Sequence, residues 1–205
     1  IGNTGKLFDN LSKANIDPES ITHIFLTHAH PDHILGIRDD FDETIFPDAK
    51  FMISEKEYNW WTKKNRVNEV DETFIQMVLW AQNSLNAIPE ISLFENDQSI
   101  LPGITAFDTS GHSPGHSSIL VESEGSKLII AGDIIRNNPT HLKNPQFIPD
   151  TDMDPVEAKK TRFKILDFVT NENIAFLGYH FPFPGVGHII KNENSYEFIP
   201  ASIRW

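Results

Sequence analysis

The chain has 205 residues, 39% hydrophobic and 22% charged, a composition that suits one globular domain with a sizeable core and argues against disorder. Against 29 acidic residues it sets 17 basic ones, for a formal charge of −12, and no basic stripe appears, so nucleic acid and anionic membrane are poor partners and a small molecule is the expected one. Cysteine is absent, which excludes disulfides and thiolate ligands and leaves the compartment open; no apolar run approaches the ~20 residues of a membrane helix.

In chain order, the opening Ile1-Gly2 carries neither an initiator Met nor a signal-peptide pattern. Residues 6–15 read as a short helix with Leu7 and Leu11 on one face, Asp17 to Ser20 as a turn, and Ile21 to Thr27 as a buried strand. A loop dense in His and Asp follows, and Ile34 onward reads as the start of another helix. Lys50 to Ser54 is a second strand. Residues 55–65 and 71–87 are helical and rich in aromatics, Tyr58, Trp60, Trp61, Phe74 and Trp80, until Pro89 ends the second. Beyond it the chain turns β-rich, with strands at Ile104–Phe107, Ser117–Glu122 and Lys127–Ala131 between Gly, Ser and Pro turns. Asp154-Pro155 opens a helix with an N-cap and a Pro in its first position, and Ala158, Phe163, Ile165, Leu166 and Val169 roughly follow its period. Strands return at Ile174–Leu177, His188–Lys191 and Tyr196–Ile199. Strand runs mixed with helices indicate an α/β architecture, sheet inside and helices outside, over a single domain of residues 1–205.

The segment that carries chemistry is Thr27-His28-Ala29-His30-Pro31-Asp32-His33. Three imidazoles and a carboxylate within six residues arise by chance on the order of 10⁻³ per sequence. Both groups are good ligands for zinc and its first-row neighbours. Alternate residues of an extended loop point the same way, so His28 and His30 can face one ion; Asp32 and His33, where the chain bends towards a helix, can face a second. Four ligands do not complete two sites. Three later segments offer more: the Asp108-to-His116 turn with His112 and His116, the strand end Ile129-Ile130-Ala131-Gly132-Asp133, and Leu177-Gly178-Tyr179-His180.

This pattern, His-x-His-x-Asp-His followed by a distant His, Asp and His, resembles the metallo-β-lactamase superfamily from Thr4-Gly5-Lys6-Leu7 through Gly187-His188. The resemblance implies an αββα sandwich and two divalent metal ions, zinc first, with Mn, Fe or Co as alternatives. It implies His28, His30 and His112 on one ion, Asp32, His33 and His180 on the other, and Asp133 bridging them. His116 then becomes a bracing or packing residue; His23, in its strand, reads as structural, and the sequence does not place His141 and His188 relative to the site. Within the superfamily the chain looks most like methyl parathion hydrolase-like enzymes, on Asp152-Met153-Asp154-Pro155, Ala158, Thr161-Arg162 and His180-Phe181-Pro182-Phe183-Pro184-Gly185-Val186-Gly187-His188. Family members carry a pair of strands ahead of the position of Ile1, so part of the N-terminal half is expected to be missing, with one sheet short and its apolar face exposed.

The activity so implied is hydrolysis of an ester-like bond, in an aryl ester, lactone or phosphotriester, by a hydroxide bridging the metals, with Asp32 also relaying a proton. Phe181 and Phe183, tethered beside His180, and Trp60 and Trp80 are candidates for binding an apolar substrate group, against the plainer reading that such rings pack helices. Two alternatives carry other predictions. A non-catalytic metal-binding protein of the same fold would keep the ligands without turnover. A diiron redox enzyme of related fold would want Glu where His30 stands and a flavin domain. Homodimerisation is expected from the resemblance alone.

Overall fold

The computed structural model describes residues 6–38, 43–136 and 139–202; Thr4 and Gly5 of the resemblance lie outside them. Its residues group into two compact units, Ile1–Phe94 and Glu95–Trp205, each built around its own sheet.

In the first unit the order is α1 (Leu7–Lys13), β1 (His23–Leu26), α2 (Pro31–Ile34), β2 (Lys50–Ser54), α3 (Glu55–Thr62), α4 (Glu72–Asn86) and β3 (Ile91–Phe94). The strands lie parallel in the order β1-β2-β3, with Ile24 opposite Phe51 and Ile53 opposite Leu93. Parallel neighbours need a long crossover, and the helix pair α3–α4 supplies it between β2 and β3. Phe51, Met52 and Ile53 in the central strand are buried, whereas Ile24, Phe25 and Ile91 are half-buried and Leu93 is exposed. Ser54 starts α3 by accepting a hydrogen bond from the Glu57 N–H on its side-chain oxygen. The predicted helix at Ile34 is shorter and earlier: a single turn at Pro31–Ile34 runs into a 3₁₀ turn at Leu35–Ile37. A Pro in the first helical position lets the chain enter helix directly from His30.

The second unit runs β4 (Gln98–Leu101), β5 (Ile104–Asp108), β6 (Ser117–Ser123), β7 (Ser126–Ile130), α5 (Thr140–Lys143), α6 (Pro155–Asn171), β8 (Ala175–Leu177), β9 (Val186–Lys191) and β10 (Tyr196–Pro200). Among the described residues these strands form one sheet in the order β10-β9-β8-β7-β6-β5-β4, antiparallel except where α6 carries the chain from β7 to its parallel neighbour β8. Asp154 caps α6 as expected, accepting from the N–H groups of Val156 and Glu157. The helix buries Ala158, Ile165, Leu166 and Val169 with Ile129, Phe176, Ile189 and Phe198 of the sheet. Phe163 sits only half-buried, and the residue that takes its place on the buried face is Arg162. Among the described residues no helix is long and apolar enough to cross a membrane.

Candidate metal centre

In the first unit, the predicted histidine loop follows β1 and leads into α2. His28 lies beyond the strand end, His30 keeps extended backbone (φ −69°, ψ 151°) at the N-cap of α2, and Asp32 and His33 fall in the helical turn. The change from extended to helical backbone gathers the rings. The His28 and His30 centroids are 4.6 Å apart, those of His28 and His33 4.1 Å, and His28 Nε2 lies 3.1 Å from His30 Nδ1. His28 and His30 are buried, while the Asp32 side chain, 3.6 Å from His33 Nε2, is 44% exposed.

Glu57 of α3 braces this loop. Its fully buried carboxylate accepts the Ala29 N–H at 3.0 Å and the Trp61 Nε1–H at 2.6 Å on the same oxygen, and the Trp61 ring meets His30 edge-on at 5.6 Å. The loop between two ligand candidates is thus held by a helix some thirty residues further on. A Glu one turn before a Trp on an aromatic helix reads as a surface charge, so nothing in the sequence reading singled it out.

In the second unit, Gly132 (φ +57°) turns the chain after β7 and presents Asp133, the His112 turn follows β5, and His180 follows β8. The three converge on one atom: Asp133 Oδ2 lies 3.0 Å from His180 Nε2 and 3.5 Å from His112 Nε2, with Arg136 Nε at 3.4 Å. His116, expected to brace or pack, holds the backbone of this carboxylate. Its Nε2 accepts the Asp133 N–H at 3.0 Å, so its proton is on Nδ1, bonded to Thr109 Oγ1 at 2.7 Å. The network continues through Ser118 Oγ, which donates to the Ala131 carbonyl at 3.0 Å, clamping the chain on both sides of Gly132.

Behind His112 stands Asp152, 3.1 Å from its Nδ1 and 2.8 Å from Arg162 Nη2. Burial pushes the Asp152 carboxyl up, but the hydrogen bonds from His112 and Arg162 outweigh it and hold it below the usual carboxylate range. His141, in α5, is buried too and accepts the Arg136 N–H on Nδ1. Burial first, and then the Arg162 charge, lowers its pKa to about 4, so it is neutral at ordinary pH. His23 is exposed beside Thr22, and His188 is exposed on β9.

The aromatic candidates separate. Phe181 is buried in the core of its unit, 5.4 Å from Phe176 and 4.9 Å from Phe198. Trp60 is half-buried, with the Arg66 guanidinium 4.2 Å over its ring. Phe183 and Trp80 are exposed, at 79% and 42%.

In each unit the gathered imidazoles and carboxylates, without sulfur, are donors that suit borderline divalent ions. Comparison with known proteins gives the set its context. Residues 2–173 match the family model of the metallo-beta-lactamase superfamily. The chain belongs to the metallo-β-lactamase superfamily. Within this superfamily it is 26% identical over 195 residues to an N-acyl homoserine lactonase of Bacillus cereus, covering 94% of this chain and 66% of that enzyme. It spans about two thirds of the length of the curated lactonase it matches there. Among solved structures it is similar to AidC, a dizinc quorum-quenching lactonase in complex with a product, N-hexanoyl-L-homoserine, with a TM-score of 0.91 at 29% identity over 100% of this chain and 72% of the other. The hydrolase AbOPH of the β-lactamase superfamily gives a TM-score of 0.90 at 26% identity, over 97% and 70%.

Proposed function

We propose that this chain is a metal-dependent hydrolase that opens a lactone or a similar ester bond in an uncharged small molecule. The observation that carries the reading is the convergence of His112 and His180 on Asp133 Oδ2, which gives a bridging carboxylate two imidazole neighbours of its own. In this reading His28, His30 and His112 would hold one divalent ion, Asp32, His33 and His180 would hold the other, and Asp133 would be shared between them, with zinc as the metal. The dizinc lactonase relative and the donor set support it.

A pair of divalent ions, when bound, polarises a carbonyl oxygen and lowers the pKa of nearby water. The chain's own residues do the rest. Asp32 is open enough to exchange protons with solvent, so it takes the proton released by attacking water and returns it to the departing alkoxide. Asp133, with backbone and side chain fixed by His116 and His180, loses little freedom when the site is filled. Phe183 and Trp80, both exposed, are the rings proposed to meet an acyl chain.

A panel of N-acyl homoserine lactones, p-nitrophenyl esters and phosphotriesters, assayed with metal-stripped and zinc-loaded protein, tests the reading. Lactone ring opening should dominate, vanish on chelation and return with zinc. Turnover that persists in the stripped protein, or a loaded protein that opens no lactone, would sink it.

A further inference from the structure

The segment from Asp152 to Arg162 supplies no proposed ligand, yet it wraps the loop that carries His112. The Met153 N–H donates to the His112 carbonyl at 3.2 Å, the Asp154 N–H to the Gly111 carbonyl at 2.8 Å, and Thr161 Oγ1 to the Ser110 carbonyl at 3.0 Å. Below the loop lies an ion pair with both side chains fully buried, Asp152 with Arg162. The desolvation of such a pair is costly, and it is weak evidence for stability by itself. What it touches is therefore informative.

The guanidinium is anchored on every side. Arg162 donates from Nε to the Ile134 carbonyl at 2.9 Å, from Nη1 to the carbonyls of Phe147 at 2.9 Å and Pro145 at 3.4 Å, and from Nη2 to Asp152 Oδ2 at 2.8 Å. With one oxygen pinned, Asp152 has the other, Oδ1, facing His112 Nδ1 at 3.1 Å. An ionised carboxylate only accepts, so Nδ1 carries the hydrogen. The opposite nitrogen, Nε2, points the other way, 3.5 Å from Asp133 Oδ2.

We infer that Asp152 and Arg162 are positioning residues that fix His112 as the Nδ1–H tautomer and so keep the Nε2 lone pair aimed at the metal centre. The inference rests on the proposed role of His112 as a ligand. It also explains why a buried charge pair stands where an apolar pair would pack: a carboxylate behind an imidazole sets its ring orientation and raises its basicity. The pair sits ten residues apart, at the two ends of the segment that cradles the loop, so one element delivers the turn, the tautomer and the compensating charge together.

The substitution Asp152→Asn turns this logic against itself. Arg162 can only donate, so the amide oxygen stays on Arg162 and the amide NH₂ faces His112. Nδ1 must then accept, and the proton moves to Nε2. Imidazole nitrogen NMR on the metal-free protein, at about pH 8.5 where histidines are neutral, reads this directly, with His112→Gln to assign the resonance. The wild type should show His112 protonated on Nδ1, and Asp152→Asn should show it on Nε2, with one of two ions bound about 10–100-fold more weakly. A wild-type His112 protonated on Nε2, or a folded Asp152→Asn that keeps the wild-type tautomer and affinity, overturns the inference. If losing the buried ion pair unfolds the variant, the wild-type spectrum decides alone. Wild-type protein that takes up no ion overturns the ligand reading instead, so the two failures are distinguishable.

Discussion

Glu57 shows how much a single buried side chain can organise. One of its oxygens receives two donors, the Ala29 N–H and the Trp61 Nε1–H, inside a unit where neither has water to turn to. Stranding a buried donor costs about 1–3 kcal/mol, so Glu57→Ala should lower stability by that amount for each of the two, read as a fall in the urea midpoint. Glu57→Gln keeps a carbonyl oxygen in place and should recover most of the loss. Equal midpoints for the two variants would mean that the charge, not the acceptor, is what the loop needs. His141 makes a different prediction, in pH. Its folded pKa of about 4 lies below the unfolded value of 6.5, so the unfolded chain binds the proton more readily between them. The stability this group contributes is present above pH 6.5 and drains away as the pH falls towards 4. His141→Asn keeps an acceptor for the Arg136 N–H without titrating, so its urea midpoint should fall less than the wild type's across that window. Parallel profiles would show that His141 does not carry the acid step.

At the scale of elements, α6 and the His112 turn form a tight joint. Gly111 has φ +125°, and a Cβ there would come within 2.1 Å of the Ala158 backbone nitrogen, a contact with no flexible atom to give way. Gly111→Ala should destabilise by more than about 3 kcal/mol, among the largest effects a point change produces. Gly36→Ala is the control, because a Cβ there meets nothing within 4 Å and should leave the urea midpoint nearly unchanged. The same joint shows what could be read in advance. The Asp154-Pro155 start of α6 and the cluster of His28, His30 and His33 were legible because capping and clustered imidazoles leave local marks. The bracing was not, because Glu57 and Arg162 are charged residues on helices and look like solvent-facing ones until burial is known. For Arg162 two signs were present: it belongs to the Thr161-Arg162 pair on which the resemblance rests, and it lies four residues after Ala158 and three before Ile165, on the apolar stripe itself. β3 and β4 merged into one β-rich stretch because Glu95, Asn96 and Asp97 separate them with a turn that carries no Gly or Pro, Asp97 itself taking φ +61°. Nothing in the sequence marked the core packing of Phe181, whose ring lies beside Phe176 and Phe198, because its neighbour His180 drew attention to the site instead.

For the molecule as a whole, the acidic balance and the proposed metals act on the same quantity. A formal charge of −12 repels itself in the compact state, and general screening by salt relieves that repulsion wherever it arises. Bound ions act otherwise, because they join the folded state alone and stabilise it in proportion to the logarithm of their concentration, about 2.7 kcal/mol for one site at a hundred times its Kd. The two contributions separate by experiment. Zinc added to the stripped protein should raise Tm continuously past saturation in the wild type, whereas Asp133→Asn, which lacks the proposed bridging charge, should show a much smaller rise. Sodium chloride near physiological strength should shift both proteins alike, since it screens the surface without needing Asp133. If zinc moves Asp133→Asn as far as the wild type, the stabilisation is nonspecific neutralisation of an acidic surface, and the ligand set proposed around Asp133 is wrong.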